Sequence, residues 1–150
     1  MKRLRCQSRD QLGVTGGNSG IGLATVKAFH ANGAKVVFSG RDRHSLDKIA
    51  QELGHDVLAV QADVTKLSDI DELMTRAHEA FGNLDILFVN AGIATSEAIE
   101  AETEDSFAQV IDTNFKGGYF TIQKALPILN KHASIILNGS INARMGIPTV

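Results

Sequence analysis

The chain has very little cysteine, proline or tyrosine: its 150 residues hold one cysteine (Cys6), two prolines and one tyrosine (Tyr119), and tryptophan does not occur. A lone cysteine excludes a disulfide framework and any metal site of the usual cysteine spacing, and it suits a reducing cytoplasm. The five histidines form no ligand cluster, so no metal site is expected. Aromatics make up only 5% and the formal net charge is −2, which leaves neither a stacking platform nor a basic field for nucleic acid. Long apolar runs are missing as well. The longest candidate, Asp85 to Val89, is strand-sized, against about 18 residues for a membrane span. Neither nucleic acid nor a membrane is an expected partner.

The N-terminus also lacks something. Lys2, Arg3, Arg5 and Arg9 against Asp10 make a basic, polar stretch without the apolar segment of a signal peptide or the apolar helical face of a mitochondrial presequence. Residues 1–13 are therefore atypical of the rest of the chain.

A hydrophobic content of 43% is enough for one globular domain over residues 1–150, with no repeat, linker or low-complexity tract. The most informative segment is Thr15-Gly16-Gly17-Asn18-Ser19-Gly20-Ile21-Gly22, which opens a helix-patterned run of Ile21, Ala24, Thr25, Ala28 and Phe29. Glycines at this spacing allow positive φ and close backbone approach to a ligand, and the N–H groups and dipole of a helix N-terminus attract a pyrophosphate.

Short apolar or β-branched runs, Lys35 to Phe38, Val57 to Val60, Asp85 to Val89 and Ser134 to Leu137, alternate with helix-period segments. That alternation predicts a doubly wound, parallel α/β sheet of the Rossmann type, with ligand at the carboxyl ends of the strands. Leu46 to Leu53 reads as a short helix, and Ile70, Leu73, Met74 and Ala77 fall on one face of the next, both ending near glycine at Gly54 and Gly82. The longest helix is expected from Glu104 to Asn130, with Phe107, Val110 and Ile111 on its buried stripe and a kink or end at Pro127. Asn114, at i+7 from Phe107, would lie on that stripe and need a partner for its amide.

The glycine turn, Asp63-Val64 after the third strand, Asn90-Ala91-Gly92 after the fourth, Asn114 in the long helix and Ser140 after the fifth occur in one order. Together they resemble the short-chain dehydrogenase/reductase family over Val14 to Val150. Ser134 to Ser140 and Phe38 to Arg41 look like its bacterial branch of generic oxidoreductases and sugar-alcohol dehydrogenases.

The resemblance implies an NAD(P)-dependent oxidoreductase that interconverts a secondary alcohol and a ketone. It makes Gly16, Gly20 and Gly22 the pyrophosphate turn, with contacts from Asn18, Ser19 and Ile21. Asp63 would accept from the adenine amino group and Val64 would touch the ring, although an Asp after a strand is also a routine helix cap. Asn90, Ala91 and Gly92 would lie beside the riboses, or form a plain glycine turn leaving a buried strand. Asn114 would bond main chain near a helix irregularity and hold a water in a proton relay. Ser140 would bond the substrate oxygen as charge develops.

Cofactor choice turns on the end of the second strand, where an acid favours NAD. Gly40 occupies that position and Arg41 comes next, suited to a 2′-phosphate, so NADP is favoured over NAD, with Asp42 as the competing NAD-type acid.

Two features depart from the family. Its proton donor is a tyrosine with lysine at i+4, and that pair would fall a few positions past Val150. Tyr119 has Gln123 at i+4, and Lys124 lies about 140° around the helix from it. The last strands, the substrate lid and a covering helix are absent too, so Ile135 to Leu137 would be an uncovered, apolar edge prone to association. The chain is accordingly expected to be a fragment, inactive alone; the alternatives are a non-catalytic NAD(P)-binding module and a degraded gene product. A full-length relative would pair the long helix in a homo-oligomer. At the other end the family's first strand is apolar, whereas Arg5 to Gly13 is polar and unsuited to a central strand. Either a reading-frame slip over residues 5 to 13 or divergence, with Gln11 to Thr15 as a short strand, accounts for it.

Overall fold

The strand and helix signals assemble into one parallel sheet with helices on both faces. The computed structural model describes residues 10–95 and 98–141. Five strands, β1 (Gln11–Val14), β2 (Lys35–Gly40), β3 (Val57–Gln61), β4 (Leu84–Val89) and β5 (Leu129–Leu137), lie in the order β3-β2-β1-β4-β5, all parallel. The chain runs outward from β1 to β3, then crosses back to β4, so the order reverses beside β1. In doubly wound sheets that reversal opens a crevice at the carboxyl ends of the strands.

Helices α1 (Gly20–Ala31) and α2 (Arg43–Leu53) cover one face, around Leu12, Val14, Val36 and Phe38. Helix α3 (Leu67–Phe81) covers the other with the expected Ile70, Leu73, Met74 and Ala77, all buried against Val37, Val60 and Leu87. Each such Ile or Leu contributes roughly 1.5–3 kcal/mol on burial. Gly54 and Gly82 cap α2 and α3 at their C-termini with positive φ. No helix among the described residues is long and apolar enough to cross a membrane.

Four expectations need correction. Polarity does not keep the N-terminal segment from the sheet: Gln11–Val14 is a central strand, with Leu12 and Val14 buried, in agreement with the alternative of a short strand over Gln11 to Thr15. Its single polar residue, Gln11, sits at the strand start, where its N–H donates to Asp85 Oδ2 at 3.0 Å. Residues 5–9 of the atypical stretch lie outside the described residues.

The long helix is interrupted. It runs as α4 (Glu104–Ile111), a π-helical turn (Asp112–Gly117), α5 (Gly118–Ala125) and a short 3-10 turn (Leu126–Ile128), and Leu129 and Asn130 already belong to β5. Phe107 and Ile111 are not on a buried stripe, being 60% and 42% exposed, and Asn114 is exposed too. The face against the sheet is made instead by Thr113, Gly117, Thr121 and Ala125, at i+4 spacing. Small residues let the helix approach closely: a Cβ on Gly117 would stand 2.8 Å from Val64 Cγ2.

In α1, Ile21 and Ala24 face outward, and Gly22 and Val26 are the buried positions, with Leu23 and Phe29 packed beside them. At the sheet edge Ile135, Ile136 and Leu137 of β5 are 39%, 45% and 66% exposed.

Candidate functional site

The crevice at the reversal point is a cavity of about 450 Å³. Its floor is the turn between β1 and α1. Gly16 has φ of +64°, and a Cβ there would stand 2.9 Å from Ala91 Cα. A Cβ on Gly22 would collide with the Gly16 carbonyl oxygen, so the first turn of α1 packs directly on the loop. Two positions thus exclude any side chain, one by conformation and one by contact.

Thr15 and Asn90 hold this turn. Buried Thr15 Oγ1 accepts from the N–H groups of Asn90 and Ala91, both at 3.1 Å. The Asn90 Nδ2 donates to the carbonyls of Thr15 and Gly16 at 3.0 and 3.1 Å, and its Oδ1 accepts from Asn138 Nδ2 at 2.9 Å. Asn90 therefore braces the strand ends with every polar group of its side chain. Asn18 packs over Gly40 and donates to Ser45 Oγ at 2.9 Å, tying the turn to α2.

Most of the expected binding residues converge here. Gly16, Asn18, Ser19, Gly20 and Ile21 line the cavity from the turn, Arg41, Asp63 and Val64 from the ends of β2 and β3, and Asn90, Ala91 and Gly92 from the end of β4. Gly22 lies behind the turn. The 62% exposure of Ile21 reflects its place at the cavity rather than in the core.

Asp63 does not cap α3. Its Oδ1 accepts from the N–H and hydroxyl of Thr65, at 3.0 and 2.9 Å, while α3 begins after Lys66. Partial burial raises the Asp63 pKa, but the Thr65 bonds and the charges of Arg41 and Lys66 outweigh it, leaving the group below the ordinary 3.8. The carboxylate is ionised at neutral pH and suited to accept from an amino group. Asp42, by contrast, is the cap of α2, accepting from the N–H groups of His44 and Ser45 at 3.3 and 3.0 Å. Hydrogen bonding from Ser45 holds its carboxyl low. Asp42 does not line the cavity; Arg41 does, and no ion pair among the described residues engages its guanidinium.

Asn114 sits in the π-helical turn, where its Oδ1 accepts from the Ile93 N–H and its Nδ2 donates to the Ile93 carbonyl, both at 2.8 Å. It pins the segment after β4 without itself lining the cavity. Ser140 is exposed, beyond Asn138, whose N–H donates to the Val89 carbonyl at 3.0 Å. Ser39, Thr113 and Asn138 also line the cavity, in addition to the expected contacts. Only Asn138 carries a signal in the sequence, its place beside Ser140. Among the described residues no cluster of three or more His, Cys, Asp or Glu could hold a metal ion.

The family model for short chain dehydrogenase matches residues 12–150. The chain belongs to that family. An uncharacterised oxidoreductase of Staphylococcus saprophyticus is 38% identical over 122 residues, covering 81% of this chain and 50% of the relative. One from Staphylococcus aureus is 41% identical over the same length, covering 53% of its chain. Among solved structures, a short-chain dehydrogenase/reductase of Brucella melitensis described as a glucose/ribitol dehydrogenase superposes with a TM-score of 0.92 at 30% identity, over 99% of this chain and 63% of that one. A variant short-chain dehydrogenase/reductase of Serratia marcescens gives 0.89 at 31% identity, over 95% of this chain and 60% of that one. The chain thus spans about half the length of the curated relatives it matches. Enzymes of this family use nicotinamide dinucleotides, and the glycine turn locked by Thr15 and Asn90 suits that cofactor.

Proposed function

We propose that this chain carries the dinucleotide-binding part of an oxidoreductase interconverting a secondary alcohol and a ketone with NADP or NAD, in the cytoplasm, where the lone Cys6 stays reduced. The observation that carries the reading is the glycine turn at the start of α1, held by Asn90 and opening on a 450 Å³ cleft. When bound, the nicotinamide supplies the hydride acceptor or donor. The N–H groups of the turn and the N-terminus of α1 hold the pyrophosphate. Ionised Asp63 takes the adenine amino group with Val64 against the ring, and Ala91 and Gly92 leave room for the riboses. Ser140 binds the substrate oxygen, and Asn114 positions the main chain at Ile93.

NADP is the favoured cofactor. Arg41 lines the cavity with no ion pair to its guanidinium among the described residues and suits a 2′-phosphate, whereas Asp42, the acid that would favour NAD, is spent on capping α2. Calorimetry with both cofactors tests this choice: Arg41→Ala should weaken NADP about tenfold or more and leave NAD unchanged. Equal losses for both would contradict it.

A second reading, binding without turnover by these 150 residues, is favoured by one observation. No tyrosine in the sequence has lysine at i+4, and the nearest substitute is disassembled. Tyr119 is 59% exposed on α5, while Lys124 pairs with Asp71 of α3 at 2.8 Å. The 150-residue polypeptide should bind NADPH yet fail to oxidise it with carbonyl compounds. Steady loss of NADPH absorbance on adding a ketone would reject that expectation.

A further inference from the structure

We infer that Asn138 is a positioning residue of the dinucleotide cleft, holding the Asn90 amide in the one orientation that supports the glycine turn. The inference rests on the cofactor reading above and adds to it a residue that acts through another. Asn90 uses both ends of its side-chain amide. Its Nδ2 donates to the carbonyls of Thr15 and Gly16 at 3.0 and 3.1 Å, and its Oδ1 accepts from Asn138 Nδ2 at 2.9 Å. An amide turned end for end would set an oxygen against two carbonyl oxygens and a nitrogen against the Asn138 donor. Asn138 and the turn thus select the same orientation from opposite sides.

The turn leaves that amide little room to move. A Cβ on Gly16 would stand 3.2 Å from Asn90 Nδ2 and one on Gly22 would stand 2.6 Å from it, so the nitrogen lies against both the loop and the first turn of α1. The donor that holds the other end of the amide comes from beyond β5, 48 residues along the chain. Asn138 is itself tied to β4 through its main chain, its N–H donating to the Val89 carbonyl at 3.0 Å, and it lines the cavity. The sheet therefore places this donor before any ligand arrives. Ser140, proposed above to bind the substrate oxygen, follows two residues later. One strand end thus carries the substrate group and steadies the cofactor floor.

The test is a double-mutant cycle in the 150-residue chain, with Asn138→Ala, Asn90→Ala and the two combined, read by calorimetry with NADP. NMR of Asn138→Ala alone follows the Asn90 side-chain amide. Asn138→Ala should weaken NADP binding about three- to tenfold in the parent and less than about twofold in the Asn90→Ala background. The Asn90 side-chain amide signals should shift, while the backbone amides of Asn90 and Ala91, bonded to Thr15 Oγ1, keep their protection from exchange. Equal losses in the two backgrounds, no loss in the parent, or unmoved side-chain signals would overturn the inference and leave the cofactor reading intact. The NMR measurement needs no Asn90 variant, so it decides the matter even where Asn90→Ala does not fold. A folded parent that binds neither NADP nor NAD would reject the cofactor reading and this inference with it.

Discussion

Thr15 and Asn90 grip each other twice, Thr15 Oγ1 accepting the Asn90 N–H at 3.1 Å and Asn90 Nδ2 donating to the Thr15 carbonyl at 3.0 Å. The pair joins the last residue before the glycine turn to the first after β4, across two adjacent strands. It ties the glycine turn to the end of β4. Asn90→Ala strands the carbonyls of Thr15 and Gly16 and should cost about 1–3 kcal/mol of unfolding free energy in urea. NADP affinity should fall with it, and a variant with parental stability and affinity would show that the brace is dispensable.

Gly22→Ala tests the close approach. A Cβ at Gly22 meets the Gly16 carbonyl oxygen, which is backbone and cannot rotate away. The turn must open, and calorimetry should show NADP binding weakened by a factor of at least about ten. Gly139→Ala, where a Cβ would meet nothing within 4 Å, should leave NADP binding as it is. Equal behaviour of the two variants would contradict the packing argument.

Asp63 makes stability depend on acid. Its folded pKa lies below the ordinary 3.8, so the unfolded chain binds protons first as pH falls. The contribution is present in full above the unfolded value and is lost as pH drops through the folded one. Melting temperatures across pH 2–7, a range set by that ordinary value, should fall more steeply at the acid end for the parent than for Asp63→Asn. Parallel curves would remove the Thr65, Arg41 and Lys66 interactions from the account.

Much of the fold was legible from the residues. The face of α3 can be read from Ile70, Leu73, Met74 and Ala77, because one stripe of large apolar side chains meets one sheet face. The glycine turn is legible because its constraint is local. The interrupted helix was not, since Phe107 and Ile111 repeat at helical spacing yet stand outside the core. What packs inward is a stripe of small residues, Thr113, Gly117, Thr121 and Ala125, which hydrophobic periodicity undervalues. Strand β1 was obscured by the polar residues before it, though four residues ending in Val14 suffice when both neighbouring strands supply ladder bonds.

Asn114→Ala should free the segment after β4. Both hydrogen bonds to Ile93 vanish, for a loss of about 1 kcal/mol, and the Ile93 amide should exchange with solvent faster by hydrogen-exchange mass spectrometry or NMR. An unchanged exchange rate would mean that the π-helical turn does not hold that segment.

The central claim, a dinucleotide cleft built on the glycine turn, is tested most directly by titrating the folded 150-residue chain with NADP and NAD in a calorimeter. The expected result is one site per chain, NADP bound more tightly than NAD, and NADP binding weakened at least about tenfold by Gly22→Ala. A folded chain that takes up neither cofactor would contradict it.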